Sequence, residues 1–440
     1  MLGAIIGDIV GSTREIHNIK TEDFELVPDG SSFTDDSVMT LAVAEWLMTD
    51  PNHCKPALIS CMQWLGKRYG NAGYGPRFKL WLMDENPQPY GSYGNGSAMR
   101  VSPIGMYAGD VDEAINLARI SAEVSHSHPE GIKGAQAIAA CVFMHKHGAS
   151  KAEIKDFVEK RFGYNLDIRL EDLRKGYEFD VSCQGSVPVA IMAFLQRDNA
   201  EDILRLAISM GGDSDTIGCM ASSIATAVMF DNVSRECSFS EDLIARCRAL
   251  LPSDLLDISD RFDDFISRPL RQSYHVDGKI FAGEYPGDVS RMVAEEKIRA
   301  VIHFGIRNFI DLTEEGELRP YDGILPEGTK YYRFPVPDCN IPKSTESVHK
   351  LIDMIDELNN ADGYTYVHCW GGVGRTGTII ACYLARHMEE PSIEKVIYEL
   401  NERFKDMPKS DYRTTPETRG QVDFIESFID SCKNKIYERH

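Results

Sequence analysis

The chain has 440 residues, a length that predicts two domains, and 43% of them are apolar, which is enough for ordinary hydrophobic cores. The formal net charge of −21 argues against sequence-independent binding to DNA or RNA, and it means that any phosphate site must depend on local donors. Eleven cysteines without CxxC pairs or zinc-like spacing are typical of a protein in a reducing cytoplasm.

The first part of the chain has the pattern of a helical domain. It opens on MLGAIIGD, which lacks a basic lead and is too short for a signal peptide, and no run of about 18 apolar residues predicts a membrane span or a membrane partner. Up to about residue 265 apolar residues recur at helical spacing, and alternating β-branched runs are nearly absent. The predicted helices cover residues 38–48, 111–124, 131–145, 187–196, 201–210 and 216–229.

The pattern changes from about residue 278, where short β-branched or aromatic segments alternate with helical ones. The predicted strands cover 279–283, 309–312, 331–336 and 364–368, and the predicted helices cover 290–301, 345–358, 376–388, 392–404 and 420–436. A polar stretch with a proline at 267–271 separates the two patterns, and we place the boundary at about 268–274. The sequence therefore predicts a multidomain protein, with an all-α domain over 1–268 and an α/β domain with a short central sheet over 272–440.

Two acidic runs precede predicted helices of the first domain. Phe33-Thr-Asp-Asp-Ser37 precedes the helix at 38–48, and Gly211-Gly-Asp-Ser-Asp-Thr216 precedes the helix at 216–229. Taken singly, Thr and Asp at such positions are typical caps that complement the helix dipole. Four carboxylates in one site, however, would repel strongly, and two divalent cations would neutralise them. Ligands that are all oxygen favour Mg²⁺, with Mn²⁺ as the alternative, over zinc.

Two further segments belong with these runs. One is GDIVGSTRE, residues 7–15, and the other is GSYGNGSAMRV, residues 91–101. Together the four segments extend over a part of the chain of about 250 residues. In their order along the chain they resemble the ADP-ribosylglycohydrolase family, which includes the hydrolase that reactivates dinitrogenase reductase. The resemblance implies an all-α fold with two Mg²⁺ ions between helix termini, and an ADP-ribosylated protein or small molecule as the substrate.

The same resemblance implies roles for individual residues. Glu15 matches a glutamate near the metals and the scissile bond, with a solvated loop acid as the alternative. His126 matches a histidine near the ribose, with a helix cap as the alternative. Asp8 is either structural or lies behind the metal ligands without binding a metal itself. The implied metal ligands are Thr34, Asp35, Asp36, Asp213, Asp215 and Thr216. The glycine-rich backbone implied to hold the diphosphate and ribose consists of Gly91, Ser92, Tyr93, Gly94, Asn95 and Gly96. In the expected reaction a carboxylate-activated water attacks the anomeric carbon and releases ADP-ribose.

The second domain contains the run HCWGGVGRTG, residues 368–377, between a predicted strand and a predicted helix. Backbone N–H groups of such a loop can hold an oxyanion, and Arg375 adds a bidentate fork suited to phosphate. These donors favour the thiolate form of Cys369, and a thiolate facing a phosphate cradle is suited to covalent phosphoryl transfer. The expected cradle residues are Gly371, Gly372, Val373 and Gly374. The run resembles the signature of cysteine-dependent phosphatases of the dual-specificity type.

The remaining residues of this reaction must come from other segments. Asp338 follows a predicted strand 31 residues before the cysteine and has the position of a general acid, whereas the rival Asp311 looks structural. Thr376 can donate its hydroxyl hydrogen to the thiolate or cap the following helix. His368 is expected to orient the loop. Residues 416–421, PETRGQ, resemble a glutamine loop that positions water in some relatives, and a simple capping segment is the alternative.

The sequence predicts the reaction of the second domain but leaves several classes of substrate open. The loop holds no Lys or His, which disfavours polyphosphoinositides and leaves phosphotyrosine, phosphoserine or a small phosphomonoester. The ADP-ribosyl acceptor can be arginine, serine, nucleic acid or a small molecule. The sequence thus predicts a bifunctional hydrolase. The alternatives are a reader that binds ADP-ribose or a phosphoprotein without turnover, and a nucleotide-salvage enzyme whose two sites treat one metabolite.

Overall fold

The computed structural model describes residues 1–50, 52–227, 238–360, 363–405 and 407–437. The chain divides into two compact units, Met1–Ile266 and Ser267–His440. The first unit is built of helices and the second contains a five-stranded sheet with helices, which confirms the predicted fold class. In these described ranges no helix is both long enough and apolar enough to cross a bilayer.

The predicted helices of the first unit are present, and several begin earlier than the apolar pattern indicates because a capping residue starts them. The tail of the last predicted helix, residues 228–229, lies outside the described residues. The helices are α1 (Leu2–Ile16), α2 (Asp35–Thr49), α3 (Lys55–Arg68), α4 (Pro76–Met83), α5 (Ser102–Tyr107), α6 (Val111–Glu123), α7 (Pro129–Lys146), α8 (Lys151–Phe162), α9 (Leu170–Leu173), α10 (Cys183–Gln196), α11 (Ala200–Ser209), α12 (Ser214–Ala225), α13 (Glu241–Ala249) and α14 (Ser253–Ser267).

Helix α1 is one of eight described helices of the first unit that lie outside the predicted ranges; the others are α3, α4, α5, α8, α9, α13 and α14. Residues 3–11 of α1 are buried on every side, so the helix shows no polar face from which a helical period could be recognised. It packs directly on α12 through glycines. A Cβ atom on Gly7 would lie 2.2 Å from the carbonyl oxygen of Gly218, and one on Gly11 would lie 2.3 Å from the Cα atom of Asp215. This close backbone contact places the polar end of α1 beside the start of α12.

The second unit has one mixed sheet with the strand order β1-β2-β5-β3-β4. Strands β1 and β2 pair antiparallel, and the other pairs are parallel. The predicted strands are present, and β1 is an additional strand that begins at the end of the predicted boundary segment. The strands are β1 (Ser273–Asp277), β2 (Ile280–Gly283), β3 (Ile306–Asp311), β4 (Lys330–Arg333) and β5 (Tyr364–His368). The helices are α15 (Arg291–His303), α16 (Thr345–Asn359), α17 (Gly374–His387), α18 (Ile393–Phe404) and α19 (Arg419–Tyr437).

Side chains alternate between the two faces of this sheet. In β2, Ile280 and Ala282 belong to the core formed with α16 to α19, whereas Phe281 belongs to a smaller core formed with α15. The parallel strands β2, β3, β4 and β5 all end at the same edge of the sheet. Because loops that follow the carboxyl ends of parallel strands meet there, this edge is where a site is expected in an open α/β sheet.

Candidate active sites

Carboxylates from α1, α2 and the start of α12 come together in the first unit. Two groups of three have carboxylate oxygens within 4.8 Å of one another: Asp8, Asp36 and Asp215, and then Glu15, Asp213 and Asp215. Asp215 belongs to both groups, so the cluster offers two adjacent positions for a cation. The structure thus brings Glu15 and Asp8 into the cluster together with the predicted ligands.

The two threonines of the acidic runs lie in the same cluster. The hydroxyl of Thr34 donates to Asp8 Oδ1 at 2.7 Å and accepts from the backbone N–H of Asp36 at 3.3 Å, so Thr34 also caps α2. The hydroxyl of Thr216 donates to Asp36 Oδ2 at 3.1 Å. Asp8 also accepts from the backbone N–H groups of Thr34 and Ser37, which fixes the start of α2 against α1. The capping and ligand interpretations are therefore both compatible with the geometry of Thr34.

Burial and mutual repulsion change the protonation of these groups. Burial, followed by the charges of neighbouring carboxylates, raises the pKa of Asp36 and Asp215 well above the usual value. The same two causes raise the pKa of Asp35 to about 8, although Asp35 belongs to neither group of three. Burial and the charge of Asp213 raise the pKa of the half-buried Glu15. Without a compensating cation, the cluster therefore holds protons that free carboxylates would release.

The donor set fits the divalent cations that the sequence predicts. Asp36 Oδ1 is buried and has no hydrogen-bond partner, and an anionic oxygen in that situation is costly unless a cation or a donor reaches it. The surrounding ligand atoms are carboxylate and hydroxyl oxygens, which Mg²⁺ prefers. The residues present therefore fit a pair of Mg²⁺ ions.

A cavity of about 450 Å³ opens from this cluster. Five of the residues predicted to contact substrate line it: Ser92, Gly94, Asn95, Gly96 and His126. Asn95 connects the glycine loop to the carboxylate cluster, because its amide Nδ2 donates to Asp213 Oδ2 at 2.6 Å. Two other predicted residues, Gly91 and Tyr93, are not among the residues that line the cavity, and the Tyr93 side chain is exposed.

His126 lies behind the glycine loop in a buried position. A Cβ atom on Gly96 would approach His126 Nε2 to 3.1 Å, so glycine at that position leaves room for the imidazole. Its Nδ1 atom is 2.8 Å from Ser125 Oγ. Burial, helped by the charges of Arg100 and Arg77, lowers the pKa of His126 well below its usual value, which leaves a neutral ring. A neutral imidazole suits hydrogen bonding to a sugar hydroxyl.

The cavity also contains residues that the sequence did not single out. Arg77 stacks on Tyr90, with its guanidinium carbon 4.7 Å from the ring centroid. Phe78 stacks on Trp81 at a centroid separation of 5.2 Å, and Arg100 is fully buried and donates to Ser121 O at 2.5 Å. Of these residues only Arg100 lies in a recognised segment, GSYGNGSAMRV at residues 91–101, whereas the aromatic residues look like ordinary core residues in sequence.

In the second unit, the run HCWGGVGRTG forms the loop between β5 and α17. Cys369 and Arg375 are both buried in this loop and line a cavity of about 490 Å³. Asp338 reaches the same cavity from the segment after β4, and its carboxylate Oδ1 is 2.9 Å from Arg375 Nη2. The structure therefore brings together the predicted nucleophile, phosphate-binding arginine and general acid.

Arg375 has a second acidic partner that the sequence did not indicate. Glu317 accepts from both guanidinium nitrogens, at 2.7 and 2.8 Å, and these bonds hold the pKa of Glu317 below its usual value. Arg375 Nη1 also donates to the backbone carbonyl of Val336 at 3.1 Å. Glu317 lies in the loop after β3, 58 residues from Arg375, so no local spacing could connect the two residues.

Three predicted supporting residues have distinct environments. The Thr376 hydroxyl is buried without a hydrogen-bond partner inside α17, whose cap is Val373, so the capping interpretation of Thr376 is wrong. Nε2 of His368 is 2.6 Å from the Tyr321 hydroxyl, which fixes the ring beside Cys369. Asp311 is fully buried and accepts from the Tyr331 hydroxyl at 2.6 Å, as expected of a structural acid.

The four residues predicted to form the phosphate cradle divide into two groups. Gly371 and Val373 line the cavity. Gly372 has φ +74° and packs on β2, where a Cβ atom would lie 2.3 Å from the carbonyl carbon of Gly283. Gly374 faces Glu417 on the segment before α19. Gly372 and Gly374 therefore shape the loop and lie outside the set that lines the cavity. Basic side chains from outside the loop complete the lining: Lys297, Arg319, Lys409 and Arg413.

Comparison with protein-family models identifies both units. Residues 1–233 match the model of ADP-ribosylglycohydrolase. Residues 287–424 match the model described as Swiss Army Knife protein, DSP-PTPase phosphatase domain.

Individual relatives follow the same division. ADP-ribosylhydrolase ARH3 of Gallus gallus is 26% identical over 307 residues, which cover 52% of this chain and 83% of that protein. The uncharacterised protein YegU of Escherichia coli K12 is 30% identical over 239 residues, covering 45% of this chain and 72% of YegU. The tyrosine phosphatase candidate 197R of Invertebrate iridescent virus 6 is 30% identical over 165 residues, covering 37% of this chain and 54% of 197R, so this chain spans about half of the viral relative.

Two solved structures are similar to separate parts of the chain. An ADP-ribosylglycohydrolase-related protein complex is 24% identical with a TM-score of 0.38, and it covers 57% of this chain and 95% of that chain. Tk-PTP in its active form is 20% identical with a TM-score of 0.30, covering 36% of this chain and 97% of that chain. The family-model matches decide the assignment: the chain belongs to the ADP-ribosylglycohydrolase family and carries, as its second domain, a phosphatase of the DSP-PTPase type, so both of its domains belong to hydrolase families.

Proposed function

We propose that the first domain cleaves the N- or O-glycosidic bond of ADP-ribosylated proteins or small molecules in an Mg²⁺-dependent reaction. The observation that carries this proposal is the pair of carboxylate groups that share Asp215 and lie at one cavity with the glycine loop. The residues that would hold the two ions are Thr34, Asp35, Asp36, Asp213, Asp215 and Thr216, with Asp8 beside them. When bound, Mg²⁺ would neutralise these carboxylates and polarise the oxygens that it contacts.

The side chains of the domain supply the rest of the chemistry. Glu15 lies at the open edge of the cluster, and burial together with the charge of Asp213 raises its pKa, which favours a base that accepts a proton from water. The anionic cluster stabilises the positive charge that develops on the ribose ring as the glycosidic bond breaks. The neutral His126 and the backbone of Gly94 and Gly96 are placed to hold the ribose and the diphosphate.

A panel of substrates tests this proposal. The full chain carrying Cys369→Ser, with Mg²⁺ and after treatment with EDTA, is mixed with ADP-ribosyl-arginine, with an ADP-ribosyl-serine peptide and with an O-linked small-molecule conjugate. Chromatography then measures released ADP-ribose. We expect Mg²⁺-dependent release from at least one of them. Tight binding of ADP-ribose by calorimetry with no release from any substrate would instead identify the domain as a reader.

We also propose that the second domain hydrolyses phosphomonoesters through a phosphocysteine intermediate. Support comes from the shared cavity of Cys369, Arg375 and Asp338. The thiolate of Cys369 attacks phosphorus, the P–O bond to the leaving group breaks, and Asp338 gives its proton to the departing oxygen. Water then attacks phosphorus, the S–P bond breaks, and its electron pair returns to sulfur. The buried Thr376 hydroxyl is free to donate to that thiolate.

A generic aryl phosphate tests this second activity. Wild-type protein and Cys369→Ser are compared with 4-nitrophenyl phosphate and with phosphotyrosine and phosphoserine peptides. We expect loss of essentially all turnover in Cys369→Ser while phosphate binding remains. Turnover by Cys369→Ser at the wild-type rate would rule out the phosphocysteine route.

We further propose a cytoplasmic location for the protein. Four cysteines of the first unit, Cys141, Cys183, Cys219 and Cys247, are fully buried free thiols, which suits a reducing compartment. Fractionation of cells that express the tagged chain would test the location. Recovery of the protein in an oxidising extracytoplasmic fraction would contradict it.

A further inference from the structure

The segment before α19 places a carboxylate in the phosphatase cavity that the reaction described above does not use. Glu417 lines this cavity together with Cys369, Asp338 and Arg375. Its side chain is 25% exposed, so it is held in the wall of the cavity and is still accessible to water. The sequence of this segment is compatible with a water-positioning glutamine loop and with a capping segment, and the structure gives Glu417 and Gln421 different environments.

The glutamine of the segment has a structural role. Gln421 is fully buried, and its side-chain oxygen accepts from the backbone N–H groups of Glu417 and Thr418 at 3.0 and 3.2 Å. Its amide nitrogen donates to the carbonyl of Asn340, two residues after Asp338, at 3.2 Å. Gln421 therefore caps the turn that carries Glu417 and connects that turn to the general-acid segment.

Glu417 itself is fixed with one oxygen toward the phosphate loop. Arg413 binds Oε1 with two guanidinium nitrogens, one of them Nε at 3.0 Å. The other oxygen, Oε2, would lie 2.4 Å from a Cβ atom on Gly374, so it contacts the loop at a position that has no side chain. The Thr415 hydroxyl donates to the carbonyl of Val373 at 2.8 Å and holds the segment against the loop.

We propose that Glu417 positions and deprotonates the water that hydrolyses the phosphocysteine intermediate, an inference that rests on the proposed phosphatase function. In this step the water oxygen forms a bond to phosphorus and the S–P bond breaks. The electron pair of the S–P bond returns to Cys369 as a thiolate, and the water proton passes to Glu417 Oε2. Inorganic phosphate leaves, and the proton is lost to solvent.

The two carboxylates then have separate tasks. Asp338 donates its proton in the first step, after which its carboxylate is available to pair with Arg375 Nη2, as it does at 2.9 Å. Glu417 is already paired with Arg413 through Oε1, and this pairing leaves Oε2 available to accept a proton from water. A separate base for the second step predicts that substitution of each carboxylate slows a different step.

Stopped-flow kinetics of the full chain with 4-nitrophenyl phosphate measures both steps. The burst of nitrophenolate reports phosphoenzyme formation, and the steady-state rate reports hydrolysis. In Glu417→Gln we expect an unchanged burst rate, a steady-state rate reduced by roughly 10²-fold, a parallel fall in KM, and covalent phosphate recovered after acid quench. Glu417→Asp, which keeps a carboxylate, should recover part of the steady-state rate. Glu426→Gln, the same change at an exposed position of α19, should behave as the wild type.

Other outcomes would overturn the assignment. If Glu417→Gln slows the burst and the steady state equally, or leaves both unchanged, Glu417 does not act on the attacking water. A steady-state loss that Glu417→Asp fails to relieve at all would equally contradict the need for a carboxylate. If instead the wild type traps no phosphate on Cys369 and Cys369→Ser turns over normally, the phosphocysteine mechanism fails, and the role of Glu417 fails with it for that separate reason.

Discussion

Two aspartates of the second unit show how the local environment gives residues of the same type different roles. In the second unit, Asp311 is the last residue of β3, and Asp338 lies in the segment after β4. Asp311 is fully buried and bonded to Tyr331 and Thr313, whereas the Asp338 side chain is 56% exposed at the cavity and can exchange protons with solvent and substrate. Position in the sequence suggested this choice, and the burial of Asp311 gives its physical reason.

The carboxylate cluster leads to a prediction about metal dependence. Asp213→Asn and Asp35→Asn each remove a charge needed to hold a hard dication. Each should weaken Mg²⁺ binding by more than about 100-fold, because even residues one layer outside a metal site cost about 10- to 100-fold. Calorimetry measures binding, and release of ADP-ribose measures activity. Asp198→Asn, at a 96% exposed side chain, is the control, and phosphatase turnover should persist throughout. Full release of ADP-ribose by either variant would rule out the metal mechanism.

The general acid leads to a second prediction. Asp338→Asn should slow phosphoenzyme formation by roughly 10²- to 10⁴-fold with leaving groups of high pKa, the usual contribution of a positioned acid. Leaving groups of low pKa need no proton and should be affected least. Burst rates measured across a series of substituted phenyl phosphates give this dependence. If the burst rate fell equally for substrates with good and with poor leaving groups, Asp338 would not be the general acid.

Protonation of the carboxylate cluster leads to a prediction about pH and stability. Burial and neighbouring charges raise the pKa of Asp35 to about 8, far above its unfolded value of 3.8, so the folded protein holds this proton more tightly than the unfolded chain does. Stability must therefore be highest below the unfolded pKa and fall as pH rises toward the folded pKa. In the EDTA-treated protein, calorimetry should show the melting temperature of the first domain falling from pH 5 to pH 8, and Mg²⁺ should reverse the fall.

Two variants check the cause of that pH dependence. Asp35→Asn should flatten the pH dependence, because it removes one of the groups that must lose a proton. Asp198→Asn, which is exposed, should leave it unchanged. A metal-free melting temperature that rises over the same interval would show that the cluster is ionised without a cation.

The contact between α1 and α12 is the decisive feature at the scale of elements. Gly7 and Gly218 face each other so closely that no side chain fits between the two backbones. Helical periodicity predicted α12 but not α1, because a helix surrounded by core has no polar face to mark its period. The strand β1 was missed because a five-residue strand next to the domain boundary carries little pattern. Together with the eight described helices of the first unit outside the predicted ranges, it was the part of the fold that sequence periodicity did not predict.

Substitution of Gly7 tests the importance of this helix contact. Alanine favours a helix interior over glycine by about 1 kcal/mol, so propensity alone predicts that Gly7→Ala stabilises the protein. A Cβ atom there would lie 2.2 Å from the Gly218 carbonyl oxygen, and overpacking of this kind costs about 1–3 kcal/mol or more. We expect net destabilisation and weaker Mg²⁺ binding.

The matched control is Gly420→Ala in α19, where a Cβ atom meets no atom within 4 Å. That change should leave stability unchanged or raise it slightly. Chemical denaturation of both variants measures the difference. If Gly7→Ala stabilised the protein as Gly420→Ala is expected to, the helices would not be held at the distance that the structure shows.

At the scale of the whole molecule, motifs predicted more than periodicity did. The four recognised segments of the first unit and the HCWGGVGRTG run of the second unit identified both families. The partners of those motifs were harder to predict. Glu317 reaches Arg375, and Glu417 reaches the phosphatase cavity, only through the fold, because neither carries a spacing that connects it to Cys369 or Arg375.

The fusion of two hydrolases leads to a prediction about linkage. If both act on one doubly modified substrate, tethering raises the local concentration of one site's product at the other. Fragments 1–268 and 272–440 keep α14 and β1 whole, so an equimolar mixture is a fair comparison with the intact chain. We expect the intact chain to complete both reactions faster at low concentration, as followed by mass spectrometry. Equal rates for the mixture would show that covalent linkage has no catalytic role.

The contact between α1 and α12 also has a consequence for biosynthesis. Thr216 lies in the first turn of α12, and its hydrogen-bond partner Asp36 is 180 residues earlier in the sequence. At typical translation rates the ribosome needs roughly 10–40 s to add that length. Throughout this interval the apolar helix α1 has emerged without the surface that covers it, and it is the kind of segment that chaperones bind. The carboxylates of the first domain therefore come together only near the end of its synthesis, so a truncated nascent chain contains a hydrophobic helix but no carboxylate cluster.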